Sequence, residues 1–429
     1  MKKKYRIILY TSIFLLCVVA SIILVVKKSN SVYEEESKPK VVKHKSMLSM
    51  NLEQTAGSGD YKTVTQSKWP TEGYKFNAEL SRCENGSTLS WDDTKKAVIV
   101  SGNLSDKCYV YFDIYQPTLA EYIKSQYTGT QGDNALYYHN STLTNGAGDN
   151  SYRYAGANPN NFVCFGSDTS PCPTDNLYRI IGVFGENYHG VTGKQLVKLI
   201  KYDYMTTDEL GTDGDYSQTY KEWGMDSTYK GTYGDGERIG VYYWNYKATG
   251  SATNTWSTSL LNKTNLNTNF INNIGTTWAN KIATVTWKVG GNTYANISDV
   301  VPATTYQNEI VNPVTTNTTD NATTYSAKIG LMYVSDYGFA ASPDAWTLTM
   351  SSYNNTTAKN NNWMYMGLYE WTISRRADYS NLAFYVRSDG SVYFNDVDVN
   401  VGVRASFSLE SSVSYVSGSG SMSDPIVIN

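Results

Sequence analysis

The chain has 429 residues, enough for two or three domains. Only 17% of them are charged, but 14% are aromatic and 37 residues are Tyr, which supplies too much core for an intrinsically disordered chain. The charge is split: residues 1–45 carry ten Lys and Arg against three Glu, and the rest carry 26 against 36. A mildly acidic body excludes nucleic acid as the expected partner.

Residues 1–6 are basic and read as a cytoplasmic tail. Residues 7–26 form a 20-residue apolar run, long enough to span a hydrocarbon core of about 30 Å. The run exits through Val25-Val26-Lys27-Lys28 without a small-residue cleavage site, so an uncleaved anchor is favoured over a cleaved signal. Cys17 follows Leu15-Leu16, which does not suit a lipoprotein, and the start of a type IV pilin is missing. Four positive charges precede the run and two follow it, which places the N-terminus in the cytoplasm and the body outside the cell. Residues 27–46, with the Glu34-Glu35-Glu36 run, read as a stalk.

Residues 47–116 are predicted to form a small β domain, immunoglobulin-like, with strands at 62–65, 74–80, 97–100 and 108–114. The rival reading makes this segment an extension of the main domain. Apart from Cys17, the cysteines are Cys83, Cys108, Cys164 and Cys172. Four cysteines allow three connectivities. Proximity favours Cys83–Cys108 and Cys164–Cys172, since neither pair has metal-ligand spacing and no His lies near. The alternative is free thiols. An extracellular body favours bridging.

Residues 117–175 are predicted to open with a short helix capped by Thr118 and to continue as a linker or wrapping segment rich in Gly, Asn, Ser and Tyr. The main domain is placed at 176–412. Within it, 177–184 reads as a buried strand and 194–201 as its alternating partner. Residues 203–254 read as loop. A helix is predicted over 255–273, capped by Ser257, then a helical turn over 278–285 and a strand over 328–334. Residues 413–429 read as a terminal β arm.

The stretch Trp371–Leu409 carries the strongest pattern. A hairpin is predicted at 382–395 around Ser388-Asp389-Gly390, because Asp-Gly between alternating apolar residues is a strong turn signal. A third strand is predicted with Val397, Val399, Val401 and Val403 on one face. Trp371-Thr-Ile-Ser-Arg375, then Asp389-Gly-Ser-Val392, then Gly402-Val403-Arg404 resembles the end of a large family of bacterial surface domains of unknown function. That family is similar to the C-type-lectin-like fold of formylglycine-generating enzymes and of phage and bacterial variable receptor proteins. Its pattern is Trp-Leu-Arg-Ser-Pro followed by Gly-Val-Arg-Pro-Ala; here Ser374-Arg375-Arg376 and Ala405-Ser406 stand at the differing positions. The resemblance covers residues 176–412. It implies that the first strand of the domain meets the Gly-Val-Arg strand. The expected fold class is therefore α+β and β-rich: a C-type-lectin-like head, a small immunoglobulin-like β domain and one N-terminal transmembrane helix.

Catalytic motifs are scarce. The histidines are His44, His139 and His189, each read as solvated rather than catalytic. There is no Gly-x-Ser-x-Gly elbow and no phosphate-binding loop. Formylglycine-generating enzymes use a late cysteine pair, and this chain has no Cys after Cys172. No cofactor is expected. Asp208, Glu209, Asp213, Asp215, Asp235 and Glu237 crowd one region, where Ca²⁺ is conceivable but no ligand spacing supports it. They also define the enzymatic alternative, a cell-wall hydrolase with acids in 208–237. Tyr, Asn and Ser instead suit recognition, because Tyr offers a large amphipathic surface at low entropy cost. The expected binding residues are Tyr379, Asn381, Tyr385, Arg387, Tyr393, Asn395, Asp398 and Asn400, preceded by Trp363, Tyr365 and Tyr369. Trp256, Trp278 and Trp371 are expected in the core. The expected role is a non-enzymatic, membrane-anchored surface protein that binds an extracellular glycan, protein or phage. A purely structural envelope protein is the remaining alternative.

Overall fold

A computed structural model of the chain describes residues 48–429 apart from 66–67, 71–72, 104, 214–216, 220–229, 232–238, 248 and 314–321; for 217–219 it describes the backbone only. The expected tail, anchor and stalk at 1–46 lie outside the described residues, as do Cys17 and His44. Among the described residues no helix is long and apolar enough to cross a membrane. The chain divides into two compact units, one ending at Gln116 and one running from Pro117 to Asn429.

The first unit contains β1 Leu48–Glu53, β2 Tyr61–Val64, β3 Tyr74–Cys83, β4 Thr88–Asp92, β5 Ala97–Ser101 and β6 Cys108–Ile114. Its sheet runs β2-β1-β6-β3 with β1 and β6 parallel, and β4–β5 form a separate hairpin. Trp69, Phe76 and Trp91 close around the ring of Phe112, with Met50, Leu52 and Val110 in the same cluster. Cys83 and Cys108 face each other across β3–β6 and are joined. β1 and β4 are additions to the sequence reading. Trp91-Asp92 ends a strand, and the turn comes after it because Asp92 Oδ1 accepts the Thr94 and Lys95 amides.

The second unit is also β-rich. Its strands are β7 Leu136–His139, β8 Ser151–Tyr154, β9 Phe162–Cys164, β10 Leu177–Phe184, β11 Leu196–Lys201, β12 Ser217–Thr219, β13 Gly240–Tyr242, β14 Val285–Lys288, β15 Gly291–Asn292, β16 Thr324–Ala327, β17 Ile329–Gly330, β18 Glu370–Arg376, β19 Leu382–Val386, β20 Val392–Asp396, β21 Val401–Gly402, β22 Ser406–Ser408, β23 Tyr415–Ser417 and β24 Val427–Ile428. One sheet runs β17-β22-β11-β10-β8-β7, with β9 also beside β10. A second runs β12-β13-β21-β18-β19-β20, with β15 also beside β18. Cys164 and Cys172 are bridged.

The segment 126–161 is ordered and contributes β7 and β8 to the first sheet. The Gly-Val-Arg segment does not pair with β10: Ser406–Ser408 pairs with β11, which pairs with β10. Phe407 still reaches the ring of Tyr178, at 5.4 Å. Alternation in 194–201 suggests one wet face, yet both faces of β11 are buried. Its lysines are paired with carboxylates: Lys198 Nζ donates to Asp336 Oδ2 at 2.7 Å, and Lys201 Nζ lies 3.0 Å from Glu209 Oε1. Residues 203–254 are not simply loop, since Ile239, Val241, Tyr242 and Trp244 are core.

The helix expected over 255–273 is broken. Trp256–Thr258 is a 3-10 turn, Leu261–Phe270 winds as a π-helix, and Ile271–Asn273 returns to α. Leu261, Leu266 and Ile271 recur at a spacing of about five, matching the i→i+5 bonding of a π-helix rather than the α period. Ser259, not Ser257, caps it by accepting from the Asn262 amide. The strand expected over 328–334 is only Ile329–Gly330, and the chain then turns into the helix Val334–Phe339. Trp278, Ile282 and Val285 point inward as expected: Trp278 from a helical turn that ends at Ala279, Ile282 from a bridge to Leu409, and Val285 from β14.

Candidate binding face

The expected hairpin forms, with Phe384 opposite Phe394, Tyr385 opposite Tyr393 and Val386 opposite Val392. At its turn Gly390 takes φ +94, a conformation that suits glycine. The Asp389 carboxylate accepts the Ser391 amide and hydroxyl. The tip is anchored: Tyr337 donates its hydroxyl to Gly390 O at 2.8 Å, and Tyr365 donates to Ser388 O. Both tyrosines are core residues. The hairpin is thereby held before any ligand arrives, which lowers the ordering cost of binding.

β18, beside the hairpin, is buried along its length. Trp371 donates its indole N–H to Tyr242 O, and Trp244 donates to Thr372 O. Trp256, Trp278 and Trp371 are core residues, as expected.

At the end of β18 the buried Arg376 starts a continuous aromatic row whose exposed members are Tyr379 and Tyr393, with Phe394 and Tyr294 half-buried. Tyr379 is 53% exposed and Tyr393 is 40% exposed. The Arg376 guanidinium sits 4.6 Å from the Tyr379 ring and 4.0 Å from the Phe394 ring. Phe394 stacks on Tyr393 at 4.4 Å, and both contact Tyr294 within 5.6 Å. Asp378 pairs with Arg376 and fixes the guanidinium plane; Arg376 in turn holds the Asp378 carboxyl below its ordinary value. Arg387 lies 6.0 Å from Tyr393.

The loop 376–382 is held from below by one side chain. The fully buried Asn254 amide donates to Arg376 O at 2.7 Å and to Tyr379 O and Leu382 O, both at 2.8 Å.

The eight expected residues separate on this framework. Tyr379, Arg387 and Tyr393 stand on the row or at its end. Asn381 is half-buried and donates to Asp396. Asn395 is half-buried, and its side chain accepts the Asp396 amide. Asp398 is exposed, but the expected third strand is absent there: residues 397–399 turn, and only Val401–Gly402 pairs. Asn400 is half-buried, its side-chain nitrogen enclosed by the fold. Tyr385 does not belong to the face. It is 7% exposed because its ring packs against Tyr369 and Trp371. Trp363 and Tyr365 are buried as well. Arg376, Phe394 and Tyr294 are not among the expected residues: strict alternation assigns Phe394 to the face opposite Tyr393, and Tyr294 comes from a distant segment.

The other candidates are absorbed by structure. His139 is buried rather than solvated; its Nδ1 accepts the Ala147 amide, and burial drives its pKa well below the ordinary value. His189 is also buried, with Nδ1 accepting the Val191 amide. Glu209 completes a capping box with Thr206. Asp213 accepts from Asn269, and Asp208 is exposed. Asp215, Asp235 and Glu237 lie outside the described residues. Among the described residues no group of three or more His, Cys, Asp or Glu could hold a metal ion.

No protein-family model, curated protein or solved structure matches the chain.

Proposed function

We propose that this chain is a single-pass, membrane-anchored bacterial surface protein whose second unit is a C-type-lectin-like head that binds an extracellular glycan. The observation that carries the reading is the row Tyr379–Arg376–Phe394–Tyr393–Tyr294. Sugar C–H faces stack on polarised aromatic rings, and the buried Arg376, paired with Asp378, holds the Tyr379 and Phe394 rings in place. The anchor reading is supported by the apolar run 7–26 and its flanking charges. Two paired cysteines in each unit suit an oxidising exterior.

The lectin-like reading is supported by the Trp371, Asp389-Gly390 and Gly402-Val403-Arg404 pattern. It is also supported by the closeness of the two ends of the second unit, where Leu119 N donates to Val413 O and Tyr415 N to Pro117 O. The proposed role is binding without catalysis and without a required cofactor.

The test is an array of neutral, sialylated and sulfated glycans probed with the full-length chain in a sugar-free detergent, beside Tyr379→Ala and Tyr393→Ala. The proposal expects a glycan signal that both variants lose. A glycan signal that both retain, or no glycan signal at all, rejects it.

A further inference from the structure

A second site lies elsewhere in the same unit. A cavity of about 280 Å³ opens between the helix Leu119–Ser125, the 134–135 turn, the 158–160 loop and the C-terminal arm. It shares no residue with the Tyr379–Tyr294 row. Its size is at the lower end of small-ligand clefts, enough for one ring-sized molecule and too small for an extended chain.

The lining chemistry is uniform. Tyr122, Gln126, Asn134, Tyr154, Asn160 and Ser419 supply hydroxyls and amides, and no lining residue is an acid, Lys, Arg or His. Burial raises the pKa of both phenols, that of Tyr122 to about 12, so both are neutral donors at physiological pH. An ionic ligand would therefore lose water without gaining a counter-charge.

Tyr154 makes this a site rather than a crevice. It is 3% exposed, and its hydroxyl has no hydrogen-bond partner among the described residues. The ring is buried but the hydroxyl is not sealed in, so it is open to a molecule in the cavity. The walls are also fixed. Tyr122 stacks flat on Tyr415, with ring centroids 3.6 Å apart. Asn134 and Ala135 both hold left-handed backbone at φ +56 and +55, which is costly for a residue with a Cβ. The arm is seated by Ile426, which donates to Phe162 O and accepts from Cys164 N. At Gly420 an added Cβ would fall 2.5 Å from Asn160 O, so only glycine lets the arm approach this closely.

We infer that this cavity is a binding site for one neutral sugar ring, closed on one side by the C-terminal arm and headed by the Tyr154 hydroxyl. Tyr122 offers an aromatic wall; the Gln126 and Asn134 amides donate to Tyr122 O and Gln126 O, which leaves their side-chain oxygens to accept from ring hydroxyls. The site is independent of the aromatic row.

The experiment is titration of the full-length chain, in a sugar-free detergent, with neutral hexoses and N-acetylhexosamines, read by saturation-transfer NMR. Glucosamine and glucuronate serve as charged comparisons. At least one neutral sugar is expected to saturate the protein in the millimolar range, as small weak sites do. Tyr154→Phe, which removes only the hydroxyl, is expected to weaken it at least threefold, and Gly420→Ala to weaken it further. Tyr393→Ala is expected to leave it unchanged. The inference is overturned if no neutral sugar saturates, if a charged sugar binds as well to Tyr393→Ala, in which the aromatic row is disabled, or if Tyr154→Phe has no effect. Loss of binding in Tyr393→Ala instead would move the sugar to the aromatic row, sparing that reading and ending this one.

Discussion

Arg404 donates from Nε to Glu370 Oε1 at 2.8 Å, and both side chains are buried. The same guanidinium donates to Met364 O and Tyr202 O. The arginine of the Gly-Val-Arg pattern is thus a pin joining β18 to two other segments. Burial pushes the Glu370 carboxyl up, and Arg404 works against that shift. Arg404→Met should cost about 3–5 kcal/mol, because it leaves a buried carboxylate alone. Adding Glu370→Leu should recover much of the loss, as apolar replacement of a whole buried pair often does. Urea denaturation of the single and double variants checks this; a double variant less stable than the single one contradicts it.

Glu309 gives a pH signature. It is buried, accepts the Val334 and Ser335 amides and the Ser374 hydroxyl, and its carboxyl is pushed up to about 7, burial being the main cause. An acid whose folded pKa is raised contributes stability that is complete below its ordinary pKa and is lost as pH rises through the folded value. Between about pH 4.5 and 7.5 the wild type should therefore lose about 3 kcal/mol more than Glu309→Gln, which cannot titrate there. His139 and His189 titrate in both proteins and cancel. Parallel stability curves from pH-dependent denaturation would refute the assignment.

Asn254 holds three carbonyls with one amide. Asn254→Asp replaces the donor by an acceptor among them and should destabilise the second unit by about 2–4 kcal/mol, the cost of unsatisfied buried polar groups. Hydrogen exchange should show faster opening of residues 376–382. Unchanged exchange there would remove Asn254 from its holding role.

The two disulfides should differ in worth. Cys83 and Cys108 are 25 residues apart, and Cys164 and Cys172 are 8 apart. On the chain-entropy account, removing the first costs about 3.5 kcal/mol and the second about 2.5 kcal/mol. Paired Cys→Ser variants followed by calorimetry should show the first loss only in the transition of the smaller unit. A shift in both transitions would contradict the division of the chain.

Several features are legible in the sequence because their signals are local. The Asp389-Gly390 turn, the Thr118 cap and both cysteine pairs each lie within a few residues or one short stretch of chain. What is not legible depends on distance or on hidden periods. Tyr385 alternates correctly for an outward face, but Tyr369 and Trp371 cover it. Lys198 reads as wet until Asp336, 138 residues later, meets it. Leu261, Leu266 and Ile271 recur at a spacing of about five, so the helix predicted over 255–273 forms largely as a π-helix. Thr206-x-x-Glu209 is a capping signal inside a stretch that otherwise reads as loop. Phe394 and Tyr294 join the row through tertiary packing alone, and the Tyr154 cavity needs several separate segments to exist.

If the row Tyr379–Arg376–Phe394–Tyr393–Tyr294 is a recognition face rather than packing, its exposed rings should be dispensable for folding and required for binding. The most direct measurement is a side-by-side comparison of Tyr393→Ala and Tyr385→Ala in the full-length chain, following both urea stability and glycan-array signal. Tyr393→Ala is expected to stay within about 0.5 kcal/mol of wild-type stability and to lose the signal, whereas Tyr385→Ala should cost about 3 kcal/mol or more through its buried ring. A Tyr393→Ala protein that binds glycans as the wild type does, or that unfolds as readily as Tyr385→Ala, would contradict the recognition role of the row.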